Sequence, residues 1–163
     1  MSVRIEKLIN DYQSMIREQS LLANQIKNFK GLSEIDIIES MVFNTPKGER
    51  VQTSGVSQKT AIVAVNYSSR IHDINQEWIK NLEMEYALIT EEIMFFRSAI
   101  MALDTDLSIL MNDLVIEKIS WDDITKKHHI SRTLVAKRRK RAIMELEKLY
   151  GTYEHNMMKY VLS

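Results

Sequence analysis

Cysteine is absent from this chain of 163 residues, and proline and glycine are nearly so, at 1 and 4. Without cysteine there is no disulfide framework, no thiol nucleophile and no thiolate zinc site, a composition that suits a reducing compartment. So little glycine and proline leaves few tight turns for an all-β fold and favours long, uninterrupted helices. No apolar run reaches the roughly 20 residues of a membrane span. The opening Met1-Ser-Val-Arg-Ile-Glu-Lys-Leu also lacks the apolar core of a signal peptide. A cytoplasmic protein with no membrane partner is expected. A charge excess is missing too, with 22 basic residues against 22 acidic ones.

What is present is a folding composition, 45% apolar and 27% charged. The balanced charge hides an asymmetry. Lys126 to Arg141 holds eight Lys/Arg and no Asp or Glu, which leaves 14 basic against 22 acidic residues elsewhere. A basic module on an acidic body favours a local, oriented contact with a polyanion.

Two apolar stripes organise the first two-thirds. Ile5, Leu8, Tyr12, Met15, Gln19, Leu22, Ile26 and Phe29 alternate steps of three and four, a heptad seam broken only by Gln19, and Gly31 follows as a helix stop. The second stripe runs Ala64, Tyr67, Ile71, Ile74, Trp78, Leu82, Tyr86, Ile89, Ile93, Phe96, Ile100, Leu103, with a stutter between Ile74 and Tyr86. A helix from Gln58 to Leu103 would be roughly 70 Å long and must bury its stripe on the first helix, on a second copy, or on both. Between the stripes, Ser33 can cap a short helix, and Asn44 to Ser57 has the composition of a loop. The expected fold is therefore all-α. A long helical hairpin or coiled-coil part over residues 1–103, with a loop at about 31–57, precedes a helix-turn-helix module over 104–150 and a tail over 151–163.

The module rests on spacing. Asp104 or Thr105 can cap a helix carrying Leu107, Leu110, Met111 and Leu114. Ser120-Trp-Asp-Asp has capping-box spacing, Ser131 caps a last helix, and Gly151 is its expected stop. Ile124 before the turn, Ile130 just after it and Val135 packing back against Ile124 supply the apolar contacts that two crossing helices need. Leu134, Val135, Ala142, Leu146 and Leu149 are expected to face inward. Arg132, Thr133, Ala136, Lys137 and Lys140 then face a major groove, Arg138, Arg139 and Arg141 better suit phosphates, and Lys126 and Lys127 of the same basic run complete the DNA-binding set. Thr125 sits where many such motifs carry a small residue, His129 where a turn glycine is common, and His128 where an apolar residue is usual.

Other residue types read as structure. Adjacent His128 and His129 do not share a helix face as paired metal ligands would. Trp121 is expected to plug the core, and Glu83, Glu85, Glu91 and Glu92 to form a solvated acidic face. No nucleophile stands beside a base, so no enzyme activity, metal or cofactor is expected.

From Leu103 onward, Ile119-Ser-Trp-Asp-Asp-Ile followed by Ile130-Ser-Arg-Thr-Leu-Val-Ala-Lys-Arg-Arg-Lys-Arg-Ala-Ile resembles the fourth region of sigma factors. It looks more like the ArpU/RinA group of phage transcriptional activators, and Gly48-Glu-Arg-Val-Gln-Thr-Ser-Gly before a long helix extends the likeness upstream. The resemblance implies an activator of phage or prophage late genes that binds double-stranded DNA as a homodimer or higher homo-oligomer. Contact with RNA polymerase is compatible with that role. Two other classes fit the same layout: a DNA-packaging subunit like a small terminase, and a coiled-coil interaction or inhibitor protein.

Overall fold

The seam of the first segment becomes helix α1, Ser2–Lys27, and the longer stripe becomes α2, Gln58–Met101. Three helices follow: α3 (Thr105–Met111), α4 (Trp121–His128) and α5 (Arg132–Val161), with a π-helical turn over Asn112–Ile116 between α3 and α4. The structure is a computed structural model that describes residues 2–33, 35, 36 and 58–162, with backbone alone for residues 2, 3 and 58–66. Among the described residues every regular element is helical. The Asn44–Ser57 loop and the Ala64 side chain lie outside the described residues. The chain divides into two compact units, Met1–Ser20 with Ala87–Ser163, and Leu21–Tyr86.

In the first unit the seam is buried within the chain itself. Ile5, Leu8, Tyr12 and Met15 of α1 pack with Ile93, Phe96, Ile100 and Leu103 of α2. The Tyr12 and Phe96 rings lie 5.8 Å apart, and Gln19 donates from its amide to the Thr90 hydroxyl at 2.8 Å. These pairings run antiparallel, and the one polar seam residue has its partner. Leu107, Met111 and Val115 close one end of this core, and Ala142, Ile143, Leu146 and Tyr150 of α5 cover it. Each large side chain so buried contributes about 1.5–3 kcal/mol. These seam positions therefore need no second copy of the chain.

Two observations modify the expected boundaries. Gly151 does not end α5, which continues to Val161. Tyr150 and Tyr153, on either side of it, both meet Phe95, with ring centroids 4.7 and 4.3 Å away. Such packing outweighs the roughly 0.5–1 kcal/mol cost of an interior helix glycine. The helix of Leu107, Leu110 and Met111 does extend toward Lys118, but its last turn is π-helical. Gln13 of α1 donates from its amide to the carbonyls of Val115 and Ile116, at 3.0 and 3.1 Å. Helix-end carbonyls that would otherwise lack a donor are thereby satisfied.

In the second unit Phe29 meets Trp78 edge-on, with centroids 5.3 Å apart. Gly31 follows α1 at φ 69°, and a Cβ there would come within 2.6 Å of the Asn75 side chain. That side chain hydrogen-bonds both the N–H and the carbonyl of Leu32, at 2.8 and 2.9 Å, so glycine is required for conformation and for space. Ser33 and Asp36 form a reciprocal cap: Ser33 Oγ accepts from the Asp36 N–H, and Asp36 Oδ2 accepts from the Ser33 N–H. Glu83 and Glu85 here, like Glu91 and Glu92 in the first unit, are exposed as a solvated acidic face should be.

Candidate nucleic-acid interface

Both helices around the turn are capped where their sequences require it. Ser120 Oγ accepts from the Asp123 N–H at 3.2 Å, and its hydroxyl donates to Asp123 Oδ2 at 2.6 Å. The reciprocal arm of the predicted capping box thus goes to the hydroxyl. Ser131 Oγ accepts from the Leu134 N–H at 3.2 Å and so starts α5. Between them His129 adopts φ 52°, ψ 40°, the left-handed conformation that glycine supplies in other such turns. Beneath the turn Leu110, Ile124 and Val135 are at most 2% exposed, and Leu114, Ile119 and Ile130 pack against them. The apolar skeleton read from the spacing is present.

A group that the sequence reading missed fastens the turn. Asp113, in the π-helical turn, is 3% exposed. Its carboxylate accepts from Lys127 Nζ at 2.8 Å and lies 2.6 Å from His128 Nε2. Its own carbonyl accepts from the Ile119 N–H at 2.8 Å. Burial pushes the Asp113 carboxyl up, but the hydrogen bonds and charges of Lys127 and His128 outweigh that and leave it below its usual range. His128 stands where an apolar residue is usual because a buried carboxylate awaits it. The available signal was an Asp placed among Leu110, Met111, Leu114 and Val115.

The predicted reading residues share one exposed side of α5. Arg132, Thr133, Ala136, Lys137 and Lys140 are all exposed, while Val135, Ala142 and Leu146 are fully buried. Lys126, Lys137 and Lys140 make no ion pair among the described residues. The arginines differ from expectation. Arg132 pairs with Asp122 at 3.1 Å, Arg138 with Asp106 at 2.8 Å, Arg139 with Glu6 at 3.8 Å, and Arg141 with Asp104 at 2.9 Å. Lys127 is likewise engaged, by Asp113.

Two apolar placements are corrected. Leu134, expected to face inward, is 36% exposed and lines a cleft with Leu107, Lys137, Arg138 and Arg141. It precedes Val135 by one residue, about 100° around the helix, which carries it out of the core stripe. Trp121, expected as a core plug, is 38% exposed, because Ile124 fills the space under α4.

Chemically, the assembly offers a capped helix start, a small residue at Ala136 and cations on one side, an arrangement suited to contact with a polyanion. Among the described residues no cluster of three or more His, Asp or Glu side chains could hold a metal ion. No family model matches the chain, and neither a curated protein nor a solved structure is significantly similar to it.

Proposed function

We propose that this chain is a sequence-specific DNA-binding transcriptional regulator, in which α4, the turn through His129 and α5 act as a helix-turn-helix. The first two turns of α5 enter the major groove. Lys137 and Lys140 meet guanine edges or phosphates, Ala136 allows close approach to a thymine methyl, and Thr133 and Arg132 complete the reading surface. The observation that supports this reading most is the shared exposure of these five residues beside a buried Val135, with both lysines free of ion pairs among the described residues.

The resemblance to the ArpU/RinA activators supplies the biological role: activation of phage or prophage late genes from a site upstream of a promoter. One module of this size spans few base pairs, so two modules on paired half-sites, brought together in a homo-oligomer, would supply useful affinity. Footprinting of the purified protein across phage DNA tests the role. Protection of one strong site upstream of a late operon is the expected result, and uniform or absent protection would remove it.

A further inference from the structure

The lysines and arginines of the basic run differ in what they touch. Each of the four arginines on α5 meets a carboxylate from another segment: Asp104, Asp106, Asp122 or Glu6. Two of these pairs share one cleft. Asp104 and Asp106, alternate residues at the start of α3, reach Arg141 and Arg138 there, and Lys137 lines the same cleft.

Asp104 carries a second, independent sign of this arrangement. It occupies the N-cap position of α3 but makes no side-chain cap hydrogen bond. An aspartate at that position ordinarily accepts from the helix's first free N–H groups. Asp104 instead directs its carboxylate at Arg141.

We infer that this cleft is a backbone-phosphate site occupied by two resident carboxylates, which a DNA strand must displace to engage Arg138 and Arg141. The inference rests on the DNA-binding reading above. Carboxylate oxygens and phosphodiester oxygens present the same anionic acceptor to a guanidinium fork. The Arg141–Asp104 pair is exposed at both ends, with 65% and 71% of the two side chains accessible. Exposed pairs of that kind are held only weakly, so a phosphate delivered by a docked duplex can exchange for the carboxylate. Arg138 is held more firmly, with 29% of its side chain accessible. On random DNA the carboxylates remain in place and the module offers chiefly its lysines. On a cognate site, base contacts seat α5 long enough for the exchange. The pair of aspartates thereby lowers affinity for wrong sequences more than for right ones, which is specificity by repulsion.

The test compares wild type with an Asp104→Asn, Asp106→Asn double variant, titrating each with a random-sequence DNA duplex by fluorescence anisotropy at several salt concentrations. Binding by the variant should be tighter, on the order of tenfold, with a log K against log salt slope steeper by roughly 1–2, because two more cations reach phosphates. Unchanged affinity and slope, or weaker binding by a variant with a native melting curve, would overturn the inference. If the double variant melts early, Asp104→Asn alone serves, since its pair is solvent-exposed at both ends. It should bind about threefold tighter, with a slope steeper by about 1, and no change would overturn the inference. A wild-type slope near zero removes the DNA-binding reading and this inference with it. A steep wild-type slope that the variants leave unchanged removes only the phosphate site.

Discussion

Replacing Asp113 by Ala should destabilise the protein more than any other single polar change around the turn. Its carboxylate is 5% accessible and holds two partners, Lys127 at 2.8 Å and His128 at 2.6 Å. Hydrogen bonds to charged groups contribute about 1.5–3 kcal/mol each. Lys127 needs a discount, because half its side chain is accessible and can be hydrated after the loss. His128, with 22% accessible, is less easily compensated. The expected loss is therefore about 2–4 kcal/mol, which for a chain of this length lowers the melting temperature by roughly 5–15 °C. Thermal unfolding followed by circular dichroism at pH 7 measures it.

The pH dependence has a definite sign. The Asp113 carboxyl in the folded protein lies below its usual range, so its stabilisation is fully present above the unfolded value, about pH 4, and is lost as pH falls through the folded value. The gap between wild type and Asp113→Asn should be open at neutral pH and close in acid. An Asp113→Ala melting curve within 1–2 °C of wild type, where about 5 °C or more is expected, would refute the reasoning. So would a gap that widens in acid.

Three further changes should maintain or raise stability, each read from the same melting curves. His129→Gly relieves a non-glycine left-handed conformation at φ 52° and should gain about 1 kcal/mol, whereas a β-branched residue there should lose more than that. Gly151→Ala places a methyl group where nothing lies within 4 Å and should gain about 0.5–1 kcal/mol; a loss would show that this glycine is needed for another reason. Tyr150→Phe removes a buried hydroxyl that has no hydrogen-bond partner among the described residues and keeps the ring against Phe95. It should be neutral or stabilising by about 1 kcal/mol, and a clear loss would mean the hydroxyl is satisfied in solution.

Local rules were legible in the sequence wherever one residue type answers one backbone need. Ser120 and Ser131 cap α4 and α5, and the Ile5-to-Met15 seam and the Ile124, Ile130, Val135 skeleton are buried or part-buried as their spacing required. Expectations failed where a distant partner decides. Gly151 reads as a stop until Phe95 is seen gripping both sides of it. The arginines read as free until Asp104, Asp106 and Glu6 are brought to them across 37, 32 and more than a hundred residues of chain. Asp113 was missed, because its role depends on His128, fifteen positions later. The candidate reading surface was legible as a set of exposed positions. Which of its cations are already engaged was not, since side-chain pairing carries no sequence period.

Contact of duplex DNA with Lys137 and Lys140, which make no ion pair among the described residues, is the central expectation. The direct measurement is the salt dependence of binding to a duplex carrying the footprinted site, for wild type and for Lys137→Ala, Lys140→Ala. If a pair of modules contacts six to eight phosphates, the wild-type slope of log K against log salt should be roughly −5 to −7. The double variant should be shallower by about 1 for each lysine lost per bound module, or should lose about 1–3 kcal/mol of discrimination at the base pairs those lysines read. A wild-type slope near zero, or a variant that matches wild type in both slope and discrimination, would contradict it.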